Sequence, residues 1–151
     1  MKTIIVTSDT HGRVENLYHI YKQNRKADMF IHLGDYASDA EAASSRLGIH
    51  VECIKANGDI GSTLPLTKEF VVDRNKIIAV HGHIQRVKYS LLRLSFFARE
   101  EGADIVLFGH THVPLVENNG ILFVNPGFGY RGQYAVVTID KGVANAKIMQ
   151  L

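Results

Sequence analysis

Four short apolar runs, Ile4-Ile5-Val6, Met29-Phe30-Ile31, Ile77-Ile78-Ala79-Val80 and Ile105-Val106-Leu107-Phe108, each lead into a polar cluster containing Asp or His. Apolar runs of this length, bounded by turn signals, read as strands buried on both faces of a parallel sheet. In α/β folds the chemistry sits just beyond the carboxyl ends of such strands. The polar segments are Asp9-Thr10-His11-Gly12, Gly34-Asp35, Asn57-Gly58-Asp59, His81-Gly82-His83, Gly109-His110-Thr111-His112 and Asn125-Pro126-Gly127. Repeated at strand ends, they point to one site assembled from several loops. Two carboxylates, four imidazoles and an amide suit a pair of borderline divalent metals.

At 151 residues the chain can bury a substantial core as one domain, residues 1–151. Hydrophobic residues at 46% and charged residues at 21% are ordinary for a globular protein. A formal charge of +2 without blocks of like charge gives no footprint for nucleic acid. No stretch approaches the roughly 18 apolar residues of a membrane span. The N-terminus has a single Lys and a short apolar strand rather than a signal peptide. Cys53 is alone and is expected to be a small apolar strand residue. The expectation is a cytoplasmic protein with no membrane partner.

Lys2–Ser8 reads as a first strand and Arg13–Lys26 as a helix, with Val14, Leu17, Tyr18 and Tyr21 at three- and four-residue spacing. Asp28–Leu33 is a second strand, Ser38–Leu47 a helix capped by Ser38, and His50–Ala56 a third strand. This βαβαβ alternation implies right-handed crossovers and a parallel sheet. Leu66–Asp73 and Lys76–Val80 flank Arg74-Asn75 as a hairpin turn, a helix covers about Lys88–Glu101, and Ala103–Phe108 is another buried strand. Asn118-Asn119-Gly120 and Asp140-Lys141-Gly142 mark tight turns. The second half is therefore strand-rich and partly antiparallel, giving two packed sheets with helices outside.

Asp9 and His11, two residues apart in a short loop, can turn into the same cleft. Asp35 follows Gly34, which lets the backbone approach a site closely, and its two oxygens can bridge two cations. Asn57 offers a neutral carbonyl oxygen. His81, His110 and His112 supply imidazoles that favour Mn, Fe, Co, Ni or Zn over Mg or Ca. His32, inside the second strand, reads as a hydrogen-bonded core histidine, and Asp59 as a residue that orients Asn57 or shapes its loop. Asp39 is a favourable charge at a helix N-terminus.

The ordered set Asp-x-His, Gly-Asp, Asn-x-Asp, His-Gly-His, Gly-His-Thr-His and Asn-Pro-Gly, running from Ser8 to Gly127, closely resembles the metallophosphoesterase (calcineurin-like) superfamily. In length and motif form it is similar to the small bacterial and archaeal phosphodiesterase branch. The resemblance implies a four-layer αββα sandwich, two mixed β-sheets flanked by helices, with a dinuclear site at the sheet edge. By motif, Asp9, His11 and His112 would hold one metal, Asn57, His81 and His110 the other, and Asp35 would bridge them. Two divalent ions are implied, with Mn favoured and Ni, Co, Zn or Fe as alternatives.

Two positions depart from the family pattern. Where the branch has Gly-Asn-Cys-Asp this chain has Ala56-Asn57-Gly58-Asp59, and many larger members carry at the Gly58 position a histidine that protonates the leaving group. The family's Asn-Pro-Gly-Ser becomes Asn125-Pro126-Gly127-Phe128.

The implied reaction is phosphodiester hydrolysis by a hydroxide shared between two cations about 3.5–4 Å apart, with a small-molecule phosphodiester as substrate. Asp35, Asn57 and His83 form the expected catalytic set. His83 either protonates the leaving alkoxide, a task a metal-held water could share, or supports the ligand His81. A phosphomonoesterase or protein phosphatase, and a non-catalytic protein-binding scaffold of the same fold, are the other readings. A homodimer through a sheet edge or the Phe96–Phe97 helix is a further expectation.

Overall fold

A computed structural model describes residues 1–151. In the first sheet β1 (Lys2–Thr7), β2 (Met29–His32) and β3 (Glu52–Cys53) run parallel. β9 (Gln133–Asp140) lies antiparallel on the other side of β1, with β10 (Val143–Gln150) beyond it. The second sheet has the order β4 (Thr67–Val72), β5 (Asn75–Val80), β6 (Ile105–Leu107), β8 (Leu122–Asn125), β7 (Leu115–Asn118). Its three middle strands are parallel and both edges antiparallel. Helices α1 (Val14–Gln23) and α2 (Ala37–Leu47) cover the first sheet and α3 (Leu92–Glu100) the second.

Two-residue periodicity explains why the apolar runs are continuous. Along β1, Ile4 and Val6 enter the core between the sheets while Ile5 packs against Leu17 and Ile20 of α1. Along β5, Ile77 and Ala79 face the other sheet while Ile78 and Val80 meet Leu94 and Ala98 of α3. Both faces of each central strand are covered, so consecutive positions, Ile4 to Val6 and Ile77 to Val80, are apolar. The layer order is αββα, as the resemblance implied.

Several boundaries differ from the sequence reading, each for a tertiary reason. Ser38 is not the cap of α2: the helix begins at Ala37, and the Ala37 N–H is capped by Asp59 Oδ1 at 2.7 Å. α1 stops at Gln23, where Asn24 closes it through its own N–H and its Nδ2, both donated to the Ile20 carbonyl. The third strand shrinks to Glu52–Cys53 because it has only Ile31 and His32 of β2 to pair with. α3 begins at Leu92, the stretch before it being occupied by successive turns. The β4–β5 turn is Asp73-Arg74 rather than Arg74-Asn75, and both turn residues have positive φ, the type I′ geometry that matches strand twist. Its Asp73 Oδ2 accepts the Gly142 N–H of the β9–β10 turn at 2.8 Å, and Asn75 Nδ2 donates to the Gly142 carbonyl at 3.0 Å. The two hairpin tips thus clasp the sheets at one end, and the polar clusters lie at the other. No helix is long and apolar enough to cross a membrane.

His32 closes β2 and is fully buried. Its Nδ1 accepts the Gly34 N–H at 3.1 Å, which fixes the ring as neutral with its proton on Nε2, directed at Thr10 Oγ1, 3.1 Å away. Burial lowers its pKa from the ordinary 6.5 to about 4, although the carboxylates of Asp9, Asp39 and Asp59 oppose the shift. The unfolded chain therefore binds this proton first as pH falls, and the fold resists it. Stability is complete above pH 6.5 and declines between 6.5 and 4, by an order of about 3 kcal/mol across the window. Denaturant titrations of metal-free protein at pH 7 and pH 5 should show a smaller loss for His32→Asn than for the parent; equal losses would assign the acid limb to other groups.

Candidate metal centre

Each polar cluster follows a parallel strand, and backbone geometry turns its side chains inward. Asp9, His11, Asp35, His110 and His112 all adopt left-handed φ, between 47° and 71°. Non-glycine residues held there carry strain of about 1 kcal/mol or more each, which persists only where the surroundings over-determine it. Those surroundings are visible. Asp9 N–H donates to the Gly34 carbonyl at 2.9 Å, His11 N–H to the Asp35 carbonyl at 3.2 Å, and Gly109 N–H to the His81 carbonyl at 2.8 Å. Asp39 Oδ2 accepts the Gly12 N–H at 2.8 Å, so the helix-start carboxylate also anchors the first loop. At Gly109 a Cβ would lie 2.8 Å from Asp9 Oδ2 and collide with Ser8 Oγ, so only glycine lets the two loops meet.

Two groups of side chains converge. Asp9, His11 and His112 form one, and Asp35, His81 and His110 the other, with the candidate ligand atoms of each within 4.8 Å of one another. Asp9 is wholly buried; its Oδ2 accepts from Ser8 Oγ at 2.5 Å and from the His110 N–H at 3.1 Å. Its Oδ1 points at His112 Nε2 (3.2 Å) and His11 Nε2 (3.7 Å) and, like His11 Nε2, is buried without a hydrogen-bond partner. His81 Nδ1 faces the Leu33 carbonyl at 2.8 Å. A carbonyl only accepts, so Nδ1 carries a proton and Nε2 is the nitrogen that faces inward. That nitrogen meets Asp35 Oδ2 at 3.5 Å, Asp9 Oδ1 at 3.8 Å and His110 Nδ1 at 3.2 Å. Two carboxylates and four imidazoles thus converge in one pocket, with Asp9 Oδ1 and His11 Nε2 buried and unpartnered. This is the observation by which the residues fit divalent metals, and the mixture of imidazole and carboxylate suits transition ions.

Asp35 differs from expectation in one respect. Its Oδ1 accepts the Gly58 N–H at 2.8 Å, so it is Oδ2 alone that faces both groups, 3.9 Å from His11 Nε2 and 3.5 Å from His81 Nε2. Were two ions held here, Asp35 would present Oδ2 to both groups while Oδ1 stays with the Gly58 amide. The same contact explains Gly58: a Cβ there would run into Asp35 Oδ1 as it stands. Asn57 occupies the exposed turn immediately before Gly58. Asp59 shapes that loop, accepting the N–H groups of Asp35 (3.1 Å), Ala37 (2.7 Å) and Ala56 (2.8 Å).

On the second side, His110 and His83 give up a proton more readily than a free imidazole. Burial, the neighbouring His81 and Lys88 push His110 down to about 4, against the pull of Asp9 and Asp35. His83 is also lowered, first by burial and then by His81; its Nδ1 is buried without a partner, and its ring lies 5.6 Å from that of His81 and 6.2 Å from that of His110.

The role of Phe128 was not legible in the sequence. Its ring stacks on His112 at 4.1 Å and 7°, stacks on Tyr130 at 5.3 Å, and meets His11 edge-on at 5.8 Å. Arg13 completes the column over Tyr130 at 4.4 Å. Buried Asn125 positions this loop, donating to the Gly109 carbonyl at 3.2 Å and Thr111 Oγ1 at 3.0 Å while its Oδ1 accepts the Gly127 N–H. The only sequence signal was the Asn-Pro-Gly turn itself.

Comparison with known proteins places this geometry in context. The profile of the calcineurin-like phosphoesterase superfamily domain matches residues 1–142. The chain is 30% identical over 152 residues to "Probable metallophosphoesterase YsnB" of Bacillus subtilis (strain 168), covering 95% of this chain and 88% of that protein. The crystal structure of a conserved uncharacterised protein of Streptococcus pneumoniae TIGR4, described as a predicted phosphoesterase, superposes with a TM-score of 0.83 at 29% identity, covering 99% and 89% of the two chains. Vps29 of Entamoeba histolytica complexed with zinc shares the fold, with a TM-score of 0.80 at 17% identity over 97% and 98%.

Phe128 lies flat against the His112 ring and limits its rotation. Phe128→Ala should weaken divalent-cation binding by about 10-fold or more, as loss of a ligand's orienting partner does, while Phe128→Tyr retains it. Titration calorimetry with Mn on metal-free protein measures this, and unchanged affinity in the alanine variant would count against an orienting role.

Proposed function

The chain belongs to the calcineurin-like phosphoesterase superfamily, and from that premise we propose that it is a divalent-metal-dependent phosphodiesterase acting on small-molecule phosphodiesters in the cytoplasm. The observation that carries the reading is the pair of ligand groups meeting at Asp35 Oδ2. In this reading Asp9, His11 and His112 hold one ion, His81, His110 and Asn57 the other, and Asp35 touches both. Mn is the favoured metal, with Ni, Co, Zn and Fe as alternatives. Two such ions lower the pKa of water towards neutrality and neutralise charge growing on the phosphoryl oxygens.

The chain's own residues prepare that chemistry. The Leu33 carbonyl holds His81 in the tautomer whose Nε2 is free to ligate. Ser8 and the His110 amide engage one oxygen of Asp9 and leave the other turned into the site. His83 stands beside His81 and His110, and we assign it proton exchange with the leaving alkoxide on that side. Gly58 contributes no acid of its own.

A protein-binding scaffold is the second reading, favoured by the shared fold with Vps29. Metal content and turnover separate the two. Purified chain should bind about two transition ions and hydrolyse aryl phosphodiesters; Asp35→Asn should lower the rate on the order of 10²–10³-fold and reduce bound metal. Full hydrolysis by that variant would falsify the bridging role, and bound metal without turnover on any diester or monoester would favour the scaffold.

A further inference from the structure

A cleft of about 460 Å³ opens beside the two ligand groups, between the start of α2 and the segment from Gly58 to Leu64. Two residues belong to both places. Gly58 lines the cleft while its N–H holds Asp35 Oδ1, and Tyr36 lines it while its ring stands 5.4 Å from that of His11. A Cβ at residue 58 would lie 3.5 Å from the Tyr36 ring, so glycine keeps the passage between them clear.

The charge of the lining is one-sided. It contains no Lys, Arg or His and two carboxylates, Asp59 and Glu41. Asp59 is engaged by three backbone N–H groups. Glu41 is exposed on α2 and forms no ion pair within the chain, while the hydroxyls of Ser38 and Thr63 and the apolar Leu64 complete the wall. A phosphodiester seated on the Asp35 side has one ester oxygen that stays on phosphorus, and its alcohol needs somewhere to lie.

We propose that this cleft receives that retained alcohol and selects one bearing a positive charge, an amino alcohol, over one bearing an anionic group. The proposal rests on the phosphodiesterase reading. An ammonium beside Glu41 gains Coulomb attraction that a neutral alkyl group lacks, and a carboxylate or second phosphate is repelled. The cleft lies at the small end of ligand-site sizes, which suits a short alcohol rather than a polymer.

The test uses the full Mn-loaded chain and three p-nitrophenyl phosphodiesters, whose retained alcohols are choline, ethanol and glycolate. In each reaction a water oxygen bonds to phosphorus, the bond to the nitrophenyl oxygen breaks, nitrophenolate leaves with the electron pair, and the water proton passes to solvent. The kcat/KM for the choline ester should exceed that for the ethyl ester by about 5–10-fold, with the glycolate ester lowest, and the order should flatten at high salt. Glu41→Gln should erase the preference for choline over the ethyl ester, and Glu41→Lys should place the glycolate ester above the choline ester. Hydrolysis of all three esters at equal rates, or a preference that survives Glu41→Gln, overturns the subsite while leaving the phosphodiesterase reading intact. Failure to hydrolyse any of the three overturns that reading and the subsite with it.

Discussion

The molecule is organised around a crowding of carboxylates and imidazoles. At the carboxyl ends of the parallel strands, the carboxylate oxygens of Asp9 and Asp35 converge on the same two nitrogens, His11 Nε2 and His81 Nε2, at 3.5–3.9 Å. Water cannot screen Asp9, which is wholly buried. A fold tolerates such crowding only if the backbone holds each group in place, and here amide hydrogen bonds reach the carboxylates from distant loops: His110 to Asp9 and Gly58 to Asp35. The left-handed backbone at five of these residues is part of the same arrangement. Stability given up at this edge is recovered in the three apolar layers beneath it.

Much of this was readable in the residues. Strands β1, β2, β5 and β6 announced themselves because both of their faces are covered, and the imidazole and carboxylate positions followed from what stood just beyond them. What escaped the reading was set by residues far apart in sequence. The start of α2 is capped by Asp59, 22 residues from Ala37, so no local signal could mark it. β3 is short because of its pairing, not its composition. At the site, a carboxylate in the sequence promises two oxygens; only the fold shows that Gly58 takes one of them. Phe128 likewise looked like a departure from a familiar turn, and its stacking on His112 depends on two loops meeting through Asn125.

The glycines at the site act by subtraction. Gly109 lets one strand-end loop touch another, and Gly58 brings an amide to Asp35. A side chain at either place would give the site a further functional group at the cost of the distances that define it. Position 58 therefore offers the site an amide and no side-chain acid.

Each ligand set draws on both sheets. Asp9, His11 and Asp35 follow strands of the first, His81, His110 and His112 follow strands of the second, and the hairpin clasp through Gly142 joins the sheets at the far end. The thickness of the apolar layer between Ile4 and Val6 on one side and Ile77, Ala79 and Leu107 on the other therefore works as a caliper. The separation of the side chains at the site is thus set partly by methyl groups that never touch them.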